Sequence, residues 1–126
     1  MLDSGCGPDA ARVLVLDDDP DILELMELIL MSTGLQIETA STAAQALELH
    51  YDDAFDIVLT DHDLPDMQGV DFVRHLGAAA PRAIFVCSGG ISDATKEEYL
   101  KLGVRSFLSK PFQIQELTRA VMAVAS

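Results

Sequence analysis

Short apolar runs alternate along the chain with longer segments in which hydrophobic residues recur every three or four positions. Five of the runs are rich in branched side chains and too short for helices, so they predict β-strands. The predicted strands are Arg12–Leu16, Gln36–Ala40, Asp56–Thr60, Ala83–Cys87 and Val104–Leu108. Polar and apolar residues alternate in the second strand, which favours a position towards the edge of a sheet.

The segments between these runs carry helix signals. Asp19 followed by Pro20 favours a helix start, because aspartate caps free amides and proline suits the first turn. Gly34 predicts the end of this helix, and Ser41 is predicted to cap a second helix that continues to about Tyr51. The helical spacing of apolar residues is carried by Ile22, Met26, Ile29 and Leu30, by Ala43 and Leu47, by Val70, Val73 and Leu76, and by Ile114, Leu117, Val121 and Val124. The segment Asp93–Leu102 is predicted to be a helix that Gly103 ends.

Strands and helices therefore alternate five times, and no internal repeat or low-complexity segment interrupts them. This order predicts an α/β fold, in which right-handed crossovers build a parallel sheet with helices on both faces. A chain of 126 residues has the size of one domain. We expect residues 1–11 to form a flexible N-terminal tail and residues 12–126 to form the domain.

The charge of the chain argues against some kinds of binding partner. It has 21 acidic and 8 basic residues, a formal net charge of -13, and its basic residues are scattered. This balance argues against binding to nucleic acid or to a membrane surface. No stretch approaches the roughly 18 apolar residues of a membrane span, and the N-terminus lacks the features of a secretory signal. Cys6 and Cys87 show neither metal-site nor disulfide spacing, so we expect a cytoplasmic protein in which Cys87 packs in the core.

Polar side chains follow four of the predicted strands. The carboxyl ends of parallel strands lie at one edge of a sheet, so these side chains are expected to meet there, near the reversal in strand order. They are Asp17, Asp18 and Asp19 after the first strand, Asp61 after the third, Ser88 after the fourth and Lys110 after the fifth. Taken alone, each of these residues could have a structural role without any chemistry, as a helix cap, a turn residue or a solvated side chain.

Together these residue types favour phosphoryl chemistry. Carboxylates crowded into a small volume repel one another unless a cation is present, and oxygen ligands with few histidines suit Mg²⁺. A metal ion and Lys110 would neutralise the oxygens of a transferring phosphoryl group while a carboxylate attacks in line. His62 has no second histidine to complete a metal site, and we expect it to be an exposed loop residue.

The chain resembles the receiver domain of two-component response regulators over residues 11–125. The matching motifs are Asp17-Asp18, the stretch 58–65 (Val-Leu-Thr-Asp-His-Asp-Leu-Pro) around Asp61, Ser88, and Lys110-Pro111-Phe112. This resemblance implies a doubly wound (βα)5 flavodoxin-like fold, with five parallel strands in the order 2-1-3-4-5 and helices on both faces.

The resemblance also implies roles for the site residues. Asp61 would accept a phosphoryl group from a phosphohistidine on a sensor histidine kinase or a His-phosphotransfer protein. Asp18, Asp61 and the backbone carbonyl of Asp63 would hold Mg²⁺ or Mn²⁺, with Asp17 assisting directly or through water. Lys110 would pair with the phosphoryl oxygens. Such a protein is a phosphoacceptor that assists its own phosphorylation and dephosphorylation, not a conventional enzyme.

A conformational switch is implied as well. Ser88 and Phe107 match the hydroxyl and the aromatic residue that turn towards the phosphoryl group on activation. The Lys110–Pro111 bond matches one that is usually cis, a conformation available mainly before proline. The fourth helix, fifth strand and fifth helix would form the surface that controls a downstream protein, in a monomer or a weak phosphorylation-dependent dimer.

Two residues depart from the family pattern. Tyr99 stands where a small residue is common, and Gly89 stands where alanine is more usual.

Three alternatives stay open at this point. Asp17-Asp18-Asp19 also resembles the Asp-x-Asp motif of haloacid-dehalogenase-type phosphatases, although Asp21 replaces their usual threonine and the chain is short for that fold. A receiver-like scaffold could bind partners without phosphorylation. The chain could also be a receiver taken from a hybrid kinase or a multidomain regulator.

Overall fold

The computed structural model describes residues 11–104, 106–111 and 113–125. The predicted tail before Ala11, including Cys6, lies outside these ranges, as does Phe112. The strands are β1 (Arg12–Leu16), β2 (Gln36–Ala40), β3 (Ile57–Asp61), β4 (Ala83–Ser88) and β5 (Ser106–Ser109). The helices are α1 (Pro20–Met31), α2 (Ala43–Asp52), α3 (Gly69–Leu76), α4 (Asp93–Lys101) and α5 (Ile114–Ala125), with one turn of 3-10 helix at Gly77–Ala79.

The strands form one parallel sheet in the order β2-β1-β3-β4-β5. Alternate residues of each strand enter two apolar clusters, one on each face. Leu14 and Leu16 pack in the cluster that α2, α3 and α4 cover, whereas Val13 and Val15 pack in the cluster that α1 and α5 cover. Cys87 is buried in the second cluster, as predicted. The predicted α/β fold and strand order are confirmed.

The first helix begins as its sequence predicts. Asp19 is the N-cap of α1 and its carboxylate accepts a hydrogen bond from the amide of Asp21, while Pro20 occupies the first turn. The predicted cap of α2 is wrong by one residue. Thr42, not Ser41, has the extended backbone of an N-cap, and its side chain accepts a hydrogen bond from the amide of Gln45.

The ends of the strands differ from the prediction in a way that matters for the site. β3 and β4 each run one residue further than predicted and include Asp61 and Ser88. β5 begins at Ser106, because Val104 belongs to the turn after α4 and its amide donates to the carbonyl of Tyr99. Asp61 and Ser88 are therefore held by the sheet itself and not by a loop. No helix among the described residues is long and apolar enough to cross a membrane.

Candidate functional site

Three carboxylates meet at the carboxyl edge of the two central strands. Leu16 of β1 pairs with Thr60 of β3, so the next residue of each strand, Asp17 and Asp61, comes to the same place. Carboxylate oxygens of Asp17, Asp18 and Asp61 lie within 4.8 Å of one another. Asp17 is buried, Asp61 is partly buried and Asp18 is exposed, so the cluster opens to solvent on one side.

Lys110 brings a positive charge to this cluster from the end of β5. Its Nζ donates a hydrogen bond of 2.6 Å to Oδ2 of Asp17 and lies 3.4 Å from Oδ2 of Asp61. The amide of Lys110 donates to the carbonyl of Ser88, which fixes the lysine backbone against β4. The peptide bond between Lys110 and Pro111 is cis. The ammonium group of Lys110 thus links the carboxyl ends of β1, β3 and β5.

The charges of these groups are set by burial and by their neighbours. Burial raises the pKa of Asp61, and the nearby charge of Asp17 raises it further, while Lys110 acts in the opposite direction. Burial alone would lower the pKa of Lys110, but its hydrogen bond and ion pair with Asp17, together with the charge of Asp61, raise it above its ordinary value. Lys110 therefore stays protonated between two carboxylates near neutral pH.

The donor set suits a small, hard divalent cation. The cluster offers carboxylate oxygens and includes neither histidine nor cysteine, which matches the preference of Mg²⁺ and Mn²⁺ for oxygen ligands. The net negative charge of three carboxylates and one ammonium would also be relieved by such a cation. The amide of Asp63 lies 3.5 Å from Oδ1 of Asp61, and Asp63 forms an antiparallel β-bridge with Gln68 within the loop that follows β3.

Ser88 and Phe107 lie on the strands beyond Asp61. Ser88 follows Cys87, the residue of β4 that pairs with Asp61, and its hydroxyl accepts a hydrogen bond of 3.2 Å from the amide of Gly90. Phe107 is partly buried on β5. A cleft of about 160 Å³ opens between these two residues and the start of α4, where Ile91 also lines it.

His62 is not the exposed loop residue that its sequence context predicts. It is 9% exposed, and its Nδ1 lies 2.6 Å from the hydroxyl of Tyr99 in α4. The prediction is wrong because the partner of His62, Tyr99, lies 37 residues further along the chain, and the sequence around His62 does not indicate that contact. Tyr99, which departs from the family pattern, and His62 are therefore partners in one buried contact.

Comparison with known proteins shows the family to which the chain belongs. Residues 13–122 match the family model of the response regulator receiver domain. The chain belongs to that family. The receiver domain is a signalling module of two-component systems and not a conventional enzyme. Receiver domains bind Mg²⁺ through an acidic pocket, and response regulators interact with histidine kinases and downstream effectors.

Curated relatives show how much of a regulator this receiver domain spans. It is 34% identical over 111 residues to the transcriptional regulatory protein KdpE of Mycobacterium tuberculosis, covering 88% of this chain and 49% of the relative. It is 32% identical over 119 residues to the two-component response regulator ARR11 of Arabidopsis thaliana, covering 93% of this chain and 23% of the relative. The chain thus spans half or less of these two relatives. Our expectation that nucleic acid is not a partner is accordingly limited to the receiver domain, since KdpE is named as a transcriptional regulator.

Solved structures resemble this one over nearly their whole length. The CheY-like receiver domain protein of Methanospirillum hungatei superposes with a TM-score of 0.86 at 27% identity, covering 90% of this chain and 92% of that one. The chemotaxis protein CheY4 of Vibrio cholerae gives a TM-score of 0.84 at 27% identity, covering 91% of this chain and 98% of that one. The flavodoxin-like fold is therefore shared with receiver domains of known structure.

Proposed function

We propose that this receiver domain is a phosphorylation switch in which Asp61 takes a phosphoryl group from a phosphohistidine on a histidine kinase or phosphotransfer protein. The observation that carries the proposal is the position of Lys110, whose Nζ lies 3.4 Å from Asp61 while it is hydrogen-bonded to Asp17. An ammonium group held there can meet phosphoryl oxygens without first moving into place.

The transfer exchanges one bond to phosphorus for another. A carboxylate oxygen of Asp61 attacks the phosphorus and forms a P–O bond, while the P–N bond to the donor histidine breaks. The electron pair of that bond stays on the imidazole nitrogen, which takes up a proton from solvent. Asp61 is partly buried and its backbone belongs to β3, which fixes where its carboxylate meets Asp17 and Lys110. Lys110 balances the charge of the phosphoryl oxygens as they approach.

The acidic cluster would hold the metal ion. Asp18, Asp61 and the carbonyl of Asp63 would be its ligands, with Asp17 held in place by Lys110 and assisting directly or through water. When bound, Mg²⁺ or Mn²⁺ supplies positive charge that offsets both the crowded carboxylates and the incoming phosphoryl group. The side chain of Asp63 is exposed and is not needed for this role.

Ser88 and Phe107 would convert the modification into a change of shape. The Ser88 hydroxyl, now engaged with the amide of Gly90, would turn to the phosphoryl group, and Phe107 would follow into the cleft beside it. The surface formed by α4, β5 and α5 would then present a different face to a downstream protein. We place this switch in the cytoplasm, as a monomer or a weak phosphorylation-dependent dimer.

A titration with beryllofluoride and Mg²⁺ tests the phosphoacceptor directly, because beryllofluoride on an aspartate imitates an acyl phosphate. In ¹H–¹⁵N spectra of the wild-type protein, we expect shifts at residues 61–63, at Ser88 and at Lys110. Asp61→Asn should abolish them. Asp63→Asn is the matched control and should retain them, because only its carbonyl is expected to contribute.

Acetyl phosphate with Mg²⁺ gives an independent readout and separates the alternatives. Intact-protein mass spectrometry should detect one added phosphoryl group in the wild-type protein and none in Asp61→Asn. Phosphorylation that survives Asp61→Asn and disappears in Asp17→Asn would instead support the phosphatase alternative. An unmodified wild-type protein with no spectral response would support a scaffold that works without phosphorylation.

A further inference from the structure

We infer that Tyr99 and His62 form a link through which helix α4 responds to the state of Asp61. This inference rests on the proposed phosphorylation of Asp61 and adds to it the residues that carry the change to α4. Both residues act through others, as positioning residues, and neither is placed among the groups that would touch the phosphoryl group or the metal ion.

The hydrogen bond between the two side chains is short and shielded from water. Nδ1 of His62 and the hydroxyl oxygen of Tyr99 are 2.6 Å apart, and the rings pack edge to face with their centroids 5.7 Å apart. Tyr99 is fully buried, and burial, with the charges of Asp61 and Asp63, raises the pKa of its hydroxyl. The hydroxyl therefore keeps its proton and can donate a hydrogen bond to Nδ1. A buried pair of this kind is costly to separate, because each group would lose its partner without gaining water.

His62 belongs to the segment that phosphorylation would disturb first. It lies between Asp61 and Asp63, the acceptor and the source of the proposed carbonyl ligand. The carbonyl of His62 accepts a hydrogen bond of 2.6 Å from the amide of Gly69, at the start of α3. A methyl group added at Gly69 would come within 2.5 Å of the Tyr99 hydroxyl and 2.7 Å of the Asp61 carbonyl oxygen. The Tyr99 hydroxyl and the backbone carbonyl of Asp61 therefore both lie close to Gly69.

Tyr99 also contacts the other side of the site. Its ring packs edge to face on Phe107 of β5, with centroids 5.9 Å apart, and Phe107 lies three residues before Lys110. The carbonyl of Tyr99 accepts hydrogen bonds from the amides of Leu102 and Val104 in the turn that leads into β5. The side chain of Tyr99 therefore contacts both His62, in the segment after Asp61, and Phe107 of β5, and it joins them to α4.

Tyr99 is the residue through which helix α4 enters the apolar core. Tyr99 is the one residue of α4 that is buried, while the rest of the helix is exposed or partly exposed. Outside the apolar cluster, Glu98 pairs with Arg74 of α3 on the surface, an interaction that solvent weakens. Closely packed side chains move between discrete positions and do not deform continuously. A shift of His62 would therefore displace Tyr99, and α4 would move with it as a unit.

Tyr99→Phe tests the link, because it removes the hydroxyl and keeps the ring that fills the core. We expect beryllofluoride and Mg²⁺ to shift the amides of residues 61–63 in this variant as in the wild-type protein. The shifts at α4 residues 94–101 should fall to less than half of the wild-type values. Tyr51→Phe is the matched control, since it likewise deletes one tyrosine hydroxyl hydrogen bond, to the carbonyl of His75, in a contact between α2 and α3 that does not include a residue of α4. It should leave the α4 response unchanged.

Variants of His62 test the same bond from its other end. His62→Asn places an amide oxygen near the position of Nδ1 and should keep the α4 response, whereas His62→Leu should reduce it as Tyr99→Phe does. If both variants reduce the response equally, ring packing and not the hydrogen bond carries the change, and the inference is wrong.

The remaining outcomes separate this inference from the proposed function. No response at residues 61–63 of the wild-type protein would overturn the proposed phosphorylation itself. A wild-type response at Asp61 that never reaches α4, or a full α4 response in Tyr99→Phe, would overturn the link and leave the phosphoacceptor intact. Loss of the response at Asp61 in Tyr99→Phe would also overturn it, because Tyr99 would then support the acceptor and not transmit its state.

Discussion

Two glycines beside the site differ in the space around them. Gly69 is the first residue of α3, where alanine would ordinarily be the better helix former. A methyl group there meets the Tyr99 hydroxyl at 2.5 Å, the Asp61 carbonyl at 2.7 Å and the Cα of His62 at 3.0 Å. A methyl group at Gly89 meets nothing within 4 Å. Close packing, and not backbone conformation, therefore requires glycine at position 69.

We expect Gly69→Ala to lower the free energy of unfolding by about 1–3 kcal/mol, the usual cost of overpacking, because two of the three contacts are backbone atoms that cannot turn away. Urea unfolding in the absence of Mg²⁺ measures this change. Gly89→Ala restores the residue more usual in the family and should change stability by less than about 1 kcal/mol, with stabilisation the favoured direction. Equal stability of the two variants would show that the loop moves away from Tyr99 at no cost.

At the level of elements, the loop after β3 is pinned to helix α2 as well as to α4. The carboxylate of Asp66 accepts hydrogen bonds from the amides of Ala43 and Ala44, at 3.0 and 2.9 Å. These amides belong to the first turn of α2, which has no intrahelical partner for them. No local sequence pattern indicates this capping, because Asp66 lies 23 residues from Ala43 and has the character of an ordinary turn residue. The loop that carries Asp63 is thus anchored at its far end.

Removing this anchor should cost stability in a pH-dependent way. Slight burial opposes the effect, but the hydrogen bonds from the two amides lower the pKa of Asp66. The ionised Asp66 carboxylate therefore stabilises the folded protein fully above the unfolded-state pKa of about 3.9. This contribution is lost as the pH falls through the lower folded-state pKa. We expect Asp66→Ala to destabilise the protein by about 0.5–2 kcal/mol near neutral pH, the usual cost of losing a cap.

Urea unfolding of Asp66→Ala across a series of pH values checks both the size and the sign. The difference between wild-type and variant should shrink towards acid pH. Glu48→Gln, on the exposed side of the same helix, removes one carboxylate that makes no such cap and should follow the wild-type profile. A difference for Asp66→Ala that stays constant from neutral to acid pH would contradict a charge-dependent cap.

At the scale of the whole molecule, the acidic site exists only in the assembled sheet. Asp17 and Asp18 follow β1, Asp61 ends β3 and Lys110 follows β5, so no local segment contains the cluster. The chain carries a net charge of -13, and three of its carboxylates are forced together by folding. A cation that binds this site binds the folded state and not the unfolded chain, and it must therefore stabilise the fold.

We expect Mg²⁺ at about one hundred times its dissociation constant to stabilise the wild-type protein by about 2.7 kcal/mol, which raises Tm by several degrees. Differential scanning calorimetry with and without MgCl₂, at matched ionic strength, measures the shift. Asp18→Asn removes an exposed carboxylate of the cluster and should lose most of it. Asp21→Asn, also exposed but outside the cluster, is the control and should retain it. An equal rise in all three proteins would indicate a general salt effect on a highly acidic chain.

Much of the architecture was decided by local chemistry that can be read in the sequence. The bounds of β1 and β2, the cap at Asp19 and the α/β order were all predicted correctly, because apolar periodicity and capping residues act within one turn or one strand. The meeting of Asp17, Asp18, Asp61 and Lys110 was also predictable, since parallel strands must end at a common edge.

Contacts between distant segments were decided only by the tertiary structure. The burial of His62 depends on Tyr99, and the anchoring of the acceptor loop depends on the first turn of α2. Periodicity tells which face of an element is buried but not which side chain it meets, so an isolated histidine in a loop reads as exposed. Sequence alone therefore determined the fold and the members of the acidic site, whereas packing across the sheet determined how that site is tied to α4.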